Sequence, residues 1–226
     1  MKRILFILLL SFIALQGFSQ KGVYFRIQGG PSFPLQDLSS TEWTTEDKAG
    51  GFANLGYHAG VDLSWYFTPN LGVAVSGMKS YFQLNSDEIY DKAFEPGIDS
   101  ILLIDVSPWV LNYTMIGPVF NIFISEKLVF ESRIQVGKMH TNSPKIELRV
   151  IDVNSVRATY TRKMSYAEAL QYSAAVGFKY NLNEEIWLSI LFDYHISQPE
   201  FTYKETIKVI NNLGQLNSSF GLSYKF

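Results

Sequence analysis

Apolar and polar residues alternate with a period of two along most of this 226-residue chain. That spacing puts successive side chains of a β-strand on opposite faces. The closing segment shows it plainly: Leu216, Ser218, Phe220, Leu222, Tyr224 and Phe226 alternate with Gln215, Asn217, Ser219, Gly221, Ser223 and Lys225. The same rhythm predicts seven further strands. The first covers about Gly22 to Gly30, with Val23, Phe25 and Ile27 against Tyr24, Arg26 and Gln28. The second, about Ala53 to Phe67, sets Leu55, Tyr57, Val61, Leu63, Trp65 and Phe67 against Asn54, Gly56, His58, Gly60, Asp62 and Ser64. The third runs from about Leu71 to Phe82. The fourth, about Leu103 to Ile124, is the least regular: Leu111, Tyr113 and Met115 alternate with Asn112 and Thr114, and Gly117-Pro118 predicts a bulge or kink. The fifth (about Leu128 to His140), sixth (about Ala169 to Tyr180) and seventh (about Ile186 to Ser197) alternate cleanly.

The connections alternate too. Thr68-Pro69-Asn70, Ser125-Glu126-Lys127 and Asn181 to Glu185 are tight turns. Pro31 to Phe52, Gln83 to Leu102, Thr141 to Glu168 and Gln198 to Asn212 are long loops. Outer-membrane barrels have short periplasmic turns and long outer loops. The expectation is therefore an all-β fold: an eight-stranded antiparallel up-and-down transmembrane β-barrel with four long outer loops, three short periplasmic turns and both termini periplasmic. The alternative is a soluble barrel of the lipocalin type, apolar inside and polar outside. Two features favour the inverted form. The polar faces carry charge from several strands among many small residues, which suits a narrow interior. The apolar faces place Trp65, Phe67, Tyr180, Tyr224 and Phe226 near the turn ends, as an aromatic girdle at a membrane interface would.

The start of the chain agrees with export. Lys2 and Arg3 precede an apolar run from Ile4 to Leu15, followed by Gln16, Gly17, Phe18 and Ser19. This is the layout of a signal peptide. It predicts a leader over residues 1–19, cleaved after Ser19 or after Gln20, and a barrel domain over 20–226. The run is shorter than the ~20 residues of a spanning helix. There is no cysteine, which rules out disulfides, thiol chemistry and Cys metal sites. The formal net charge is −2 with no basic block, so nucleic-acid binding has no electrostatic footprint. Aromatics are abundant, with 17 Phe, 13 Tyr and 4 Trp, as strands and membrane interfaces favour. A barrel of this kind implies outer-membrane lipid and the barrel assembly machinery as partners.

Three stretches carry a resemblance: GYHAGVDLSWYFTPNLGVAVSG from Gly56 to Gly77, YSAAVGFKYNLNEEIWLSILFDY from Tyr172 to Tyr194, and the closing SSFGLSYKF. Each hairpin has a Gly-containing strand, a short turn and a second strand. Together they resemble the outer-membrane β-barrel family common in Bacteroidetes, often called PorT-like. The resemblance implies an eight-stranded outer-membrane barrel; some members are linked to protein secretion.

By parity the residues pointing inward include Arg26, His58, Asp62, Glu131, Arg133, Lys179, Asp193, His195 and Lys225, with Gln28 and Gln135. An eight-stranded barrel is just wide enough for side chains to fill. Buried charges are costly unless paired, so this set predicts a salt-bridged polar core that plugs the lumen. The alternative is a narrow polar pathway for small solutes. His58 with Asp62, and Asp193 with His195, share a face at spacings that would suit a metal, but serve equally as ordinary hydrogen-bond partners. No metal or cofactor is expected. Nor is enzymatic activity: there is no catalytic motif, and the nearest candidate for a lipid-modifying centre is His140 at the outer rim, beside Thr141 and Ser143. The long loops are rich in Ser, Thr, Asn, Asp and Glu. Thr41 to Asp47 is acidic around a Trp, Asp87 to Asp99 is acidic, and Lys145 to Lys163 alternates as if extending a hairpin above the membrane. Loops this long are either solvated segments or a binding surface for a protein or glycan partner.

Overall fold

The computed structural model describes residues 22–42, 50–93, 98–152, 157–162, 164–203 and 207–226. The leader predicted over 1–19 and Trp43 to Asp47 of the first loop lie outside the described residues. Thirteen strands are present among them: β1 Gly22–Gln36, β2 Gly56–Tyr66, β3 Leu71–Phe82, β4 Ile98–Val106, β5 Trp109–Phe123, β6 Leu128–Asn142, β7 Ile146–Asp152, β8 Arg157–Arg162, β9 Tyr166–Asn181, β10 Ile186–Ser197, β11 Glu200–Tyr203, β12 Ile207–Ile210 and β13 Leu213–Lys225, with one helix, α1, at Ser86–Ala93. Eight of the strands close into an antiparallel barrel in the order β1-β13-β10-β9-β6-β5-β3-β2. Phe25 on β1, for example, pairs with Leu63 of β2 on one side and Tyr224 of β13 on the other.

The face that each strand turns outward decides what kind of barrel this is. Ile27 is 61%, Ile134 64% and Phe220 62% exposed, whereas Arg26, Glu131 and Ser219 are 3%, 0% and 1% exposed. A soluble barrel has the reverse arrangement, so the lipocalin-type alternative is overturned. An outward apolar band around a polar interior is the architecture of a barrel that spans a membrane.

The three tight turns share one construction. The backbone N–H of Phe67, Ile124 and Leu182 donates to the carbonyl of the residue four ahead, at 3.2, 2.9 and 3.0 Å. The next residue in each, Thr68, Ser125 or Asn183, turns its side-chain oxygen onto the N–H of Leu71, Leu128 or Ile186, at 2.9, 3.1 and 2.8 Å. Short polar side chains that bond their own backbone are favoured at such positions.

Several boundaries differ from those expected. The first strand does not stop at Gly30 but continues through Pro31 and Pro34 to Gln36, because Ser32 and Phe33 hold register with Asn217 and Leu216 of β13. Each proline forfeits a ladder donor without breaking the strand. The fourth predicted strand is two strands, β4 and β5, parted at Ser107 and Pro108. The bulge expected at Gly117-Pro118 is absent: β5 steps from Ile116↔Val136 to Val119↔Arg133, three residues on each side. Gly117 allows this close approach, since a Cβ there would lie 2.0 Å from the Ile134 carbonyl oxygen. The hairpin expected from Lys145 to Lys163 exists as β7 and β8, and β4 from the preceding loop joins it to make a three-stranded sheet.

Candidate functional site

The lumen is filled at two levels. Nearer the tight turns lies a knot of ions centred on Glu131, a β6 residue with no exposure. Arg26 Nη2 donates to both carboxylate oxygens, at 2.9 and 3.0 Å. Arg133 Nε donates to Oε1 at 2.6 Å, and Lys179 Nζ lies 2.8 Å from Oε2. Arg133 Nη1 also donates to Asp62 Oδ2 at 2.9 Å. Two tyrosines finish the shell. Tyr66 Oη accepts from Lys179 at 3.0 Å and stands 3.2 Å from Glu131 Oε2, and the ammonium sits 4.8 Å from the Tyr66 ring centre and 5.6 Å from that of Tyr24. Thus β1, β2, β6 and β9 are tied together across the lumen. Charges this deep persist where partners surround them.

Farther toward the long loops the chemistry changes. His58 Nδ1 is 3.0 Å from Ser32 Oγ, and Ser32 gives its own proton to Asn217 Oδ1 at 2.6 Å. That assigns the His58 ring proton to Nδ1, leaving Nε2 to accept from Ser219 Oγ at 2.7 Å. Ser219 also lies 3.4 Å from Asp193 Oδ2. His195 is buried and stacked on Tyr113, ring centres 5.4 Å apart, and neither of its ring nitrogens has a hydrogen-bond partner among the described residues.

Above this the interior becomes apolar. Leu38, Met78, Phe82, Trp109, Leu111, Met115, Met139, Phe201 and Leu213 form one buried cluster with Tyr113. Leu38 comes from the first long loop and Phe201 from the fourth, and Phe201 meets Trp109 edge to face with ring centres 5.7 Å apart. Taking the apolar side of every strand as the lipid side therefore fails on β5. Leu111, Tyr113 and Met115 point inward because the loop end of the lumen is an apolar core, and Thr114 and Ile116 face out.

The structure gathers Arg26, Asp62, Glu131, Arg133 and Lys179 into one network, and puts His58 with Asp193 in the next layer. Lys225 points inward but is partly exposed and makes no ion pair among the described residues. Tyr66, Tyr24, Asn121 and Ser223 complete the network. Tyr66, Tyr24 and Ser223 share the parity of the inward charges but carry no charge to mark them, whereas Asn121 shares the parity of Leu111, Tyr113 and Met115, whose alternation reads as outward. Trp65, Tyr180, Tyr224 and Phe226 are exposed on the outer wall and Phe67 is half-buried, with Trp65–Phe67 and Tyr224–Phe226 in edge-to-face contact. No group of three or more potential metal ligands occurs among the described residues. His140 faces outward, whereas Thr141 and Ser143 are buried on the inner side, with Thr141 donating to the Val110 carbonyl. These three form no nucleophile and base pair.

No protein-family model matches the chain, and no curated protein matches it in sequence. Solved structures do. The attachment invasion locus protein Ail of Yersinia pestis is 16% identical with a TM-score of 0.46, the match covering 92% of this chain and 99% of that one. Neisserial surface protein A is 11% identical with a TM-score of 0.48, covering 92% and 100%. The outer membrane protein OprG from Pseudomonas aeruginosa is 13% identical with a TM-score of 0.43, covering 93% and 98%.

Proposed function

We propose that this chain is an integral outer-membrane barrel with a closed lumen that acts through its long loops, as an interaction or structural protein of the cell envelope. The long loops face outward and the tight turns face the periplasm. One observation carries the reading: the interior is stopped twice, by the Glu131 ion knot and by the apolar cluster around Trp109. A solute pathway needs polar walls from end to end, and the Trp109 layer interrupts them. The work then falls to the loop end, where β4, β7 and β8 build a sheet of their own. The resemblance to PorT-like barrels adds a place in a secretion or envelope complex, with the barrel assembly machinery and outer-membrane lipid as partners. No catalytic role is assigned.

The test is a planar-bilayer recording of the purified, refolded protein. Silent membranes are expected, and they should stay silent in Trp109→Ala with Phe201→Ala, because the Glu131 knot still closes the lumen. Regular steps from the unaltered protein would replace this reading with a small-solute channel.

A further inference from the structure

The outer wall carries one charged patch that the barrel's own interior does not use. At the loop end of β6 and β9, Lys138, His140, Tyr166 and Glu168 all point away from the lumen. Lys138 Nζ pairs with Glu168 Oε2; Tyr166 Oη donates to Glu168 Oε1, and His140 Nδ1 lies 3.0 Å from that oxygen. The register Lys79↔Asn112↔His140↔Glu168 extends the patch over four neighbouring strands. Lys79 is exposed and has no ion pair among the described residues. The patch thus holds two ammonium groups and an imidazole but one carboxylate, which is taken by Lys138 and His140.

Directly turnward on the same strands the wall is dented. Ser132 and Ala174 sit low among Phe120, Ile134, Val176 and Phe192, leaving an apolar depression of about 470 Å³. Ala174 is six residues from Glu168 along β9, about 20 Å at the strand rise. With strands tilted about 40° that is roughly 15 Å of depth, the thickness of one leaflet. Cations at the rim of an apolar band, with an apolar depression about one leaflet below them, are complementary to an anionic lipid. Lys79 and His140 stand two strand spacings apart, about 10 Å, so a headgroup bearing two phosphates spans them better than a single phosphate does.

We infer that the β6–β9 seam binds a bisphosphorylated lipid, its phosphates on Lys138, Lys79 and His140 and an acyl chain in the depression over Ser132 and Ala174. This rests on the membrane reading above, with the lipid in the leaflet on the long-loop side. Lys138 has donors to spare beyond its bond to Glu168, and Glu168 is the one repulsive group in the patch.

The experiment is native mass spectrometry of the purified protein in mild detergent, titrated with bisphosphorylated lipid A, its dephosphorylated form, phosphatidylcholine and inorganic pyrophosphate. One retained bisphosphorylated lipid is expected. Lys79→Gln with Lys138→Gln weakens it about tenfold or more, the worth of one to two lysines at an anionic surface. Glu168→Gln strengthens it, and Ala174→Phe, which faces lipid and leaves the fold intact, weakens it. Equal retention of phosphatidylcholine, tight binding of pyrophosphate alone, or indifference to either the lysine pair or Ala174→Phe would overturn the inference. Retention of a heat-dependent electrophoretic shift checks that each variant is folded. Protease access to the loops on intact cells tests the orientation separately, since binding in detergent does not depend on leaflet.

Discussion

The indole N–H of Trp109 donates to the carbonyl oxygen of Gly51 at 2.8 Å, joining a fully buried ring on β5 to the first long loop. The loop is held close: a Cβ on Gly51 would lie 2.3 Å from the Leu38 carbonyl oxygen. Trp109→Phe leaves that carbonyl unpaired and should cost about 1–3 kcal/mol. Trp109→Ala adds a cavity and should cost about 3–5 kcal/mol. Urea unfolding in detergent, followed by fluorescence of the remaining tryptophans, gives both values and their order.

Glu131→Gln removes the charge that Arg26, Arg133 and Lys179 share. Uncompensated buried charge costs about 3–5 kcal/mol. Adding Lys179→Met to Glu131→Gln should recover part of that loss, because the second change removes a cation that the first left stranded. Two losses that simply add would show that Lys179 and Glu131 are not coupled.

The two luminal histidines should differ in how much their replacement costs. His58 bonds two hydroxyls, so His58→Phe should cost about 1–3 kcal/mol by taking a donor from Ser32 and an acceptor from Ser219. His195 offers two nitrogens that meet no partner among the described residues and a ring stacked on Tyr113. His195→Phe should change stability by less than about 1.5 kcal/mol, as volume-conserving swaps do. Comparing the two urea midpoints checks it.

Deleting Leu213–Lys225 removes the partner of both β1 and β10 and leaves two open edges. Such a chain should show no heat-dependent electrophoretic shift, because an unpaired edge cannot persist in lipid.

Parity was enough to read the barrel and to put the charges of the ion knot on the inner face, though not to pair them. Arg26, Asp62, Glu131, Arg133 and Lys179 fall on one side of clean alternations, and a narrow lumen brings them together whatever the loops do. It failed where the lumen itself turns apolar. Leu111, Tyr113 and Met115 look like lipid-facing residues, and the cue to the contrary is Lys79 and Asn112 at the same height on the outer wall. The plug was harder still to foresee, because Leu38 and Phe201 reach it from loops, whose paths have no period. Pro31 and Pro34 signalled a loop because a proline costs one ladder bond, yet both neighbouring strands kept enough of the others.

The sheet of β4, β7 and β8 is assembled from two separate loops. The surface it presents is therefore contained in no single stretch of sequence. A synthetic peptide copied from either loop lacks part of the sheet, and antibodies raised against it have no reason to recognise the folded protein. Variation is constrained in the same way: a change in one loop's strand must be tolerated by its partner in the other, so the two segments should drift as a pair.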